Sequence, residues 1–134
     1  MKQTLFKHVL NIAEHQHLVR ITESVRQDIT ESQILDGLAV VFCPHSTAAI
    51  AVGAGSDPDA VRDLIYGMEK AFPSMNRNYR RADSHARLKA LACGATKTLI
   101  VEEGKLVLGE DQDVYFCEFD GPKDRTFYIK ILEG

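Results

Sequence analysis

Helix-period and strand-period patterning are segregated along this chain. Strand signals fill both ends and helix signals the middle, which rules against a regular βαβ repeat and its parallel sheet. At the C-terminal end Phe127, Ile129 and Ile131 alternate with Thr126, Tyr128 and Lys130, the period-two pattern of a half-buried strand. Residues 114–119 form a second strand, rich in aromatic and β-branched residues. Residues 98–101 and 105–108 flank Glu102-Glu103-Gly104, a hairpin turn. Near the N-terminus, residues 2–12 and 18–21 read as strands. Leu38–Cys43 is a continuous apolar run that suits a buried strand, with Ala48–Val52 as its neighbour across the His45-Ser46-Thr47 corner.

The strongest helix starts at Asp57-Pro58. Asp is a good N-cap, and Pro at the first helical position loses only an N–H that would be unpaired anyway. Val61, Leu64, Ile65, Met68 and Phe72 follow at helical spacing, and Pro73 stops the helix. Thr22 is placed to cap an earlier helix carrying Val25 and Ile29 inward. Asp83 or Ser84 is placed to cap a later one, with Leu88, Leu91 and Ala92 inward and Gly94 as the stop. The expected fold class is α+β, with antiparallel, sandwich-like sheets and two to three short helices in a single 134-residue domain.

Charge and cysteine content narrow the function. The net charge is −3, against a general nucleic-acid binder, and no apolar run reaches the roughly 20 residues that span a bilayer. Polar His8, Asn11 and Glu14 interrupt any signal-peptide pattern, and Cys43, Cys93 and Cys117 are odd in number and widely spaced. We therefore expect a cytoplasmic protein whose thiols are reduced and buried in the core, with no nucleic-acid or membrane partner.

Three polar constellations carry potential chemistry. His45, at the end of a buried strand, is able to bind a metal or move a proton near neutral pH; the alternative is a strand-end imidazole bonded locally. From residue 77 to 89, Arg77, Arg80, Arg81, Arg87 and Lys89 face only Asp83, a local balance of +4 in a negative chain. With His85 at a helix start, this segment suits a phosphate or carboxylate; the alternative is a solvated loop and helix face. The acidic turn 109–113 lacks calcium-loop spacing and reads as solvated, and His8, His15 and His17 read as surface residues. No phosphate loop, dinucleotide fingerprint or nucleophile elbow is present.

Taken in order, the segments "GLAVVFCPHSTAAI", "DPDAVRDL", "LKALACG", "GKLVLG" and "VYFCEFDGP" resemble the YjbQ-like family of small microbial proteins from about Gly37 to the C-terminus, more weakly before it. The resemblance implies a homotrimer with a polar pocket near the subunit boundary, and a thiamine-phosphate synthase activity served by a divalent metal such as zinc or magnesium. His45 matches the histidine of the family's corner. Asp57, Arg62 and Asp63 match its Asp-Pro helix, and Tyr79, Lys89, Gln112 and Glu118 match further positions.

Departures concentrate at the site. Gly53-Ala54-Gly55 replaces an Asn-Glu-Asn, Arg81 and Arg87 replace histidines, Leu91 replaces a serine, and Glu110-Asp111 replaces Thr-Trp. Arginine in place of histidine exchanges metal affinity for anion affinity. The resulting expectation is a pocket for a phosphorylated or anionic small molecule, with Ser46, Thr47, Arg81, Arg87 and Lys89 as ligand contacts. Should the enzyme reading hold, His45 and Asp57 are the catalytic candidates and His45, Asp83 and His85 the metal ligands. A third reading is a non-catalytic trimeric structural protein.

Overall fold

Two antiparallel sheets face each other across the main core in this computed structural model, which describes residues 2–55 and 57–134. The elements are β1 (Leu5–Ile12), β2 (His17–Arg20), α1 (Thr22–Ser32), β3 (Gly37–Phe42), β4 (Ala48–Ala54), α2 (Pro58–Ala71), α3 (Ser84–Cys93), β5 (Thr96–Glu102), β6 (Lys105–Leu106), β7 (Gln112–Glu118) and β8 (Lys123–Glu133). One sheet has the order β1-β8-β3-β5-β6 and the other β2-β7-β4. This is the expected α+β class.

Alternation decides which side chains meet. Phe127, Ile129 and Ile131 of β8 point into the core with Ala39 and Val41 of β3, opposite Ile50 of β4 and Val114 and Phe116 of β7. Val25 and Ile29 of α1 close this core, as their i,i+4 spacing predicts. The three-stranded sheet is covered on its other face as well. Ala49, Tyr115, Cys117 and Phe119 pack there against Ala86 and Ala90 of α3, with Val61 and Met68 of α2 alongside. Two covered faces explain why Val114–Cys117 of β7 is an unbroken apolar run. The Glu103-Gly104 hairpin turn has both residues at positive φ, the backbone that matches strand twist in a two-residue loop.

Four expectations need correction. β4 is not the neighbour of β3: the corner at 44–47 carries the chain from the five-stranded sheet to the three-stranded one, where β4 pairs with β7. Pro44 has no N–H to extend a ladder, and the small residues of β4 allow close packing on both faces. Thr22 lies inside α1 rather than capping it. Its hydroxyl donates to Asp113 Oδ1 at 2.6 Å and accepts from the Val114 N–H at 2.9 Å, fixing the helix to β7. Asp113 is thereby buried, so it is not part of a solvated turn. Finally, α3 buries His85, Ala86, Lys89 and Ala90, and leaves Leu91 81% exposed. The buried ion pair described below outweighs the simple apolar phase.

α2 does begin as expected, with Asp57 accepting from the Asp59 N–H at 2.9 Å and Pro58 in the first turn. None of its residues is fully buried. Cys43 and Cys117 are buried free thiols, whereas Cys93 is only half-buried. Among the described residues, no helix is long and apolar enough to cross a membrane.

Candidate functional site: a basic cleft with two histidines

The loop between α2 and α3 arches over the ends of β1 and β7 and leaves an open cleft of about 1080 Å³. Its walls come from Ser74–Arg77 and Tyr79–Asp83 of that loop, His85 of α3, His15 of the β1–β2 turn and Asp120 of the β7–β8 turn.

A close approach of two turns places His15. The Gly121 N–H donates to the His15 carbonyl oxygen at 2.8 Å, and His15 Nδ1 lies 3.0 Å from the Gly121 carbonyl oxygen. Glycine is required here, because a Cβ at residue 121 would stand 2.0 Å from the Glu14 carbonyl oxygen. The His15 and His85 ring centroids are 5.7 Å apart.

His85 is fixed from below by charge. Lys89, one helical turn on and wholly buried, holds its Nζ 2.8 Å from His85 Nδ1 and 2.7 Å from Glu69 Oε1. Glu69 also accepts from the Gln16 side chain and from the Ser74 N–H and hydroxyl. Burial opposes ionisation of Glu69, but the bonds from Lys89 and Ser74 outweigh it and lower the carboxyl to about 2. Burial, then the Lys89 ammonium, holds the His85 imidazole below its ordinary value, so it is neutral at pH 7.

The rim is cationic. Arg81 and Arg87 both donate to Asp83, at 3.0 and 3.2 Å, and this lowers the Asp83 carboxyl. Asp120 is paired with Lys123. Among the described residues, Arg77 and Arg80 have no carboxylate partner and are exposed. The lining therefore presents two uncompensated guanidinium groups.

The structure separates the residues singled out in the sequence. Arg81, Asp83 and His85 line the cleft. Arg87 stands beside them and donates from Nη1 to Ser46 Oγ at 3.3 Å, which links the corner to α3. The Lys89 ammonium is committed to Glu69 and His85, behind the cleft wall. Thr47 is buried and accepts from Arg125 Nη2 at 2.7 Å. Asp57 is exposed and occupied with capping α2. His45 packs edge-on to Phe116 of the main core, and its Nε2 lies 3.0 Å from both the N–H and the carbonyl oxygen of Thr126. Burial, then Arg125, lowers its pKa. The local-bonding alternative for His45 describes this geometry.

A divalent metal does not fit these residues. His45 and His85 each have one ring nitrogen committed to the protein, which leaves at most one apiece, and Asp83 carries two guanidinium groups. Among the described residues no three His, Cys, Asp or Glu side chains gather around one point.

Sequence reasoning missed His15, Glu69 and Asp120. His15 was expected on the surface with His8 and His17. It is exposed, as expected, and it also lines the cleft, whereas His8 is half-buried and donates to Asp28 at 2.6 Å while stacking on Phe127. His17, partly exposed, is paired with Glu14. The available signal was Gly121, whose demand for close approach is invisible until its partner turn is known.

Comparison with known proteins agrees with the fold. Residues 7–134 match the profile of the UPF0047 protein YjbQ-like family, so the likeness includes the N-terminal strands. The UPF0047 protein MJ1081 of Methanocaldococcus jannaschii is 36% identical over 96% of this chain and 94% of its own length. The UPF0047 protein YugU of Bacillus subtilis is 35% identical over 92% and 95%. A crystal structure of a YjbQ/UPF0047 family protein from Clostridium acetobutylicum superposes with a TM-score of 0.92 at 40% identity, over 95% of this chain and 99% of the other. A YbjQ-like protein of unknown function from Sulfolobus solfataricus gives 0.92 at 30% identity, over 97% and 96%. Matched over residues 7–134 by the family profile and over nearly its whole length by relatives and solved structures, this chain belongs to the YjbQ-like (UPF0047) family.

Proposed function

We propose that the cleft between the 74–83 loop, His15 and His85 binds a phosphorylated or otherwise anionic small molecule, and that the chain works as a homotrimer with this cleft near a subunit boundary. The observation that carries the reading is the pair of unpartnered guanidinium groups, Arg77 and Arg80, beside a neutral buried imidazole in a chain of net charge −3. Guanidinium stays ionised at all relevant pH and forks onto oxyanions. Arg81 joins them once an anion competes for its bond to Asp83. The binding reading asks for no metal.

Thermal unfolding with inorganic phosphate, pyrophosphate and thiamine phosphate tests it. A ligand selective for the folded state stabilises by about 2.7 kcal/mol at a hundredfold excess over its Kd. Arg77→Ala/Arg80→Ala is expected to abolish the shift while leaving the unliganded midpoint in place, since both side chains are exposed. An undiminished shift in that variant, or none in the parent protein, sinks the proposal.

A further inference from the structure

We infer that the two cleft histidines are locked in opposite tautomers, so that the cleft selects a protonated oxyanion, such as hydrogen phosphate or a monoprotonated phosphomonoester, over a fully ionised one such as sulfate. The inference rests on the anion-cleft reading above and adds the chemical class of the ligand.

The lock on His85 follows from its partner. An ammonium has protons and no lone pair. The 2.8 Å contact between Lys89 Nζ and His85 Nδ1 is therefore a hydrogen bond only if Nδ1 carries the lone pair. The ring proton then sits on Nε2. Lys89 keeps its own proton because the Glu69 carboxylate lies 2.7 Å away and an alkylammonium is a far weaker acid than an imidazolium. The lock on His15 is the reverse. A carbonyl oxygen only accepts, so the 3.0 Å contact with Gly121 puts a proton on His15 Nδ1, and in the neutral ring the lone pair is then on Nε2. In both rings Nδ1 is spent on the protein, and Nε2 is the nitrogen left for a ligand.

The cleft floor thus offers one donor, His85 Nε2–H, and one acceptor, His15 Nε2. The two rings are tilted by 47° and make no hydrogen bond to each other. A tetrahedral oxyanion that keeps one proton satisfies both, with a charged oxygen toward His85 and its O–H toward His15. Sulfate near neutral pH has no proton to give, so one of its oxygens would meet the His15 lone pair unpaired. A phosphomonoester, with its second pKa at about 6, keeps that proton in only a minor share of its population near pH 7 and in a growing share as pH falls toward 6. His15 is exposed, so water serves its lone pair when the ligand does not, and the preference is that of one net hydrogen bond, roughly threefold to tenfold. Glu69, Lys89 and Gly121 act as positioning residues, since they set the ring protons without touching the ligand.

Two measurements on the intact protein test this. Nitrogen-15 NMR of the imidazole rings near pH 7 is expected to show a neutral Nε2–H ring for His85 and a neutral Nδ1–H ring for His15. Either ring in the other tautomer, or either one as imidazolium, overturns the inference without any ligand. Calorimetric titration at pH 6.5 and fixed ionic strength then compares inorganic phosphate with sulfate. Phosphate is expected to bind roughly threefold to tenfold tighter, and His15→Ala to bring the two together by weakening phosphate alone. Equal binding of both anions overturns the tautomer selectivity and leaves the anion cleft standing. Binding of neither overturns the cleft reading and this inference with it.

Discussion

Arg125 donates through Nε and Nη2 to the two oxygens of Glu118, each at 2.6 Å, and Nη2 also reaches Thr47. Glu118 accepts as well from the Asp120 N–H at 2.9 Å. Both side chains are nearly inaccessible, so each charge relies on the other in place of water. Glu118→Gln keeps the shape and removes the charge. It should lower unfolding free energy by about 3–5 kcal/mol in urea titration, because the guanidinium is left buried and uncompensated. Glu118→Leu/Arg125→Met removes both charges and should recover most of that loss. If each single change costs less than about 1 kcal/mol, the pair is solvated and the packing described here is incorrect. At this scale the sequence shows residue types without partners. Glu118 stood out by its match to a family position, but Arg125 and Thr47 lie far from each other along the chain and carry no local pattern that would pair them.

Glu69 and Lys89 join α2 to α3, two helices whose apolar faces alone would hold them weakly, since α2 has no fully buried residue. The Glu69 carboxyl is lowered in the folded protein, from 4.5 to about 2. As pH falls, the unfolded chain takes up its proton first. The stability this group supplies is complete above about 4.5 and is lost as pH falls toward about 2. Glu69→Gln should therefore flatten the stability–pH curve in that window and leave its slope unchanged above it. Chemical denaturation at several acid pH values checks this, and an unaltered acid slope counts against the link. Elements bounded by local chemistry were legible in the sequence: the Asp57-Pro58 helix start, the hairpin at Glu103-Gly104, and the alternating β8 strand. The sheet assignment of β4 and the phase of α3 were not. A short run of alanines packs on either face, and a helix that buries a lysine against a glutamate twenty residues away follows ion-pair partners instead of hydrophobic period. The cleft was half legible for the same reason. Its basic loop showed as a local charge reversal, while His15 depends on a contact between distant turns.

At the scale of the whole molecule, the five-stranded sheet has one face in the core and one uncovered. Pairing register puts Leu5 and Val9 of β1, Phe42 of β3, Ile100 of β5 and Leu132 of β8 on that outer face, each at least 41% exposed. Tyr128 and Val40 lie between them. Lys7 and Lys130 share that face; single exposed apolar residues are ordinary, but several gathered on one sheet face mark a candidate contact surface. In the proposed homotrimer this face holds the copies of the chain together. Sedimentation velocity should then give a trimer for the parent protein. Ile100→Lys should yield a monomer, because Ile100 contributes nothing to the main core and a lysine there remains solvated in the free chain while being buried unpaired in the assembly. A folded Ile100→Lys protein that still sediments as a trimer would move the contact elsewhere, with the open side of α2, where Leu64 and Tyr66 are exposed, as the next surface to change. A monomeric parent protein would remove the subunit boundary altogether, and the anion cleft would then have to work from the walls of one chain.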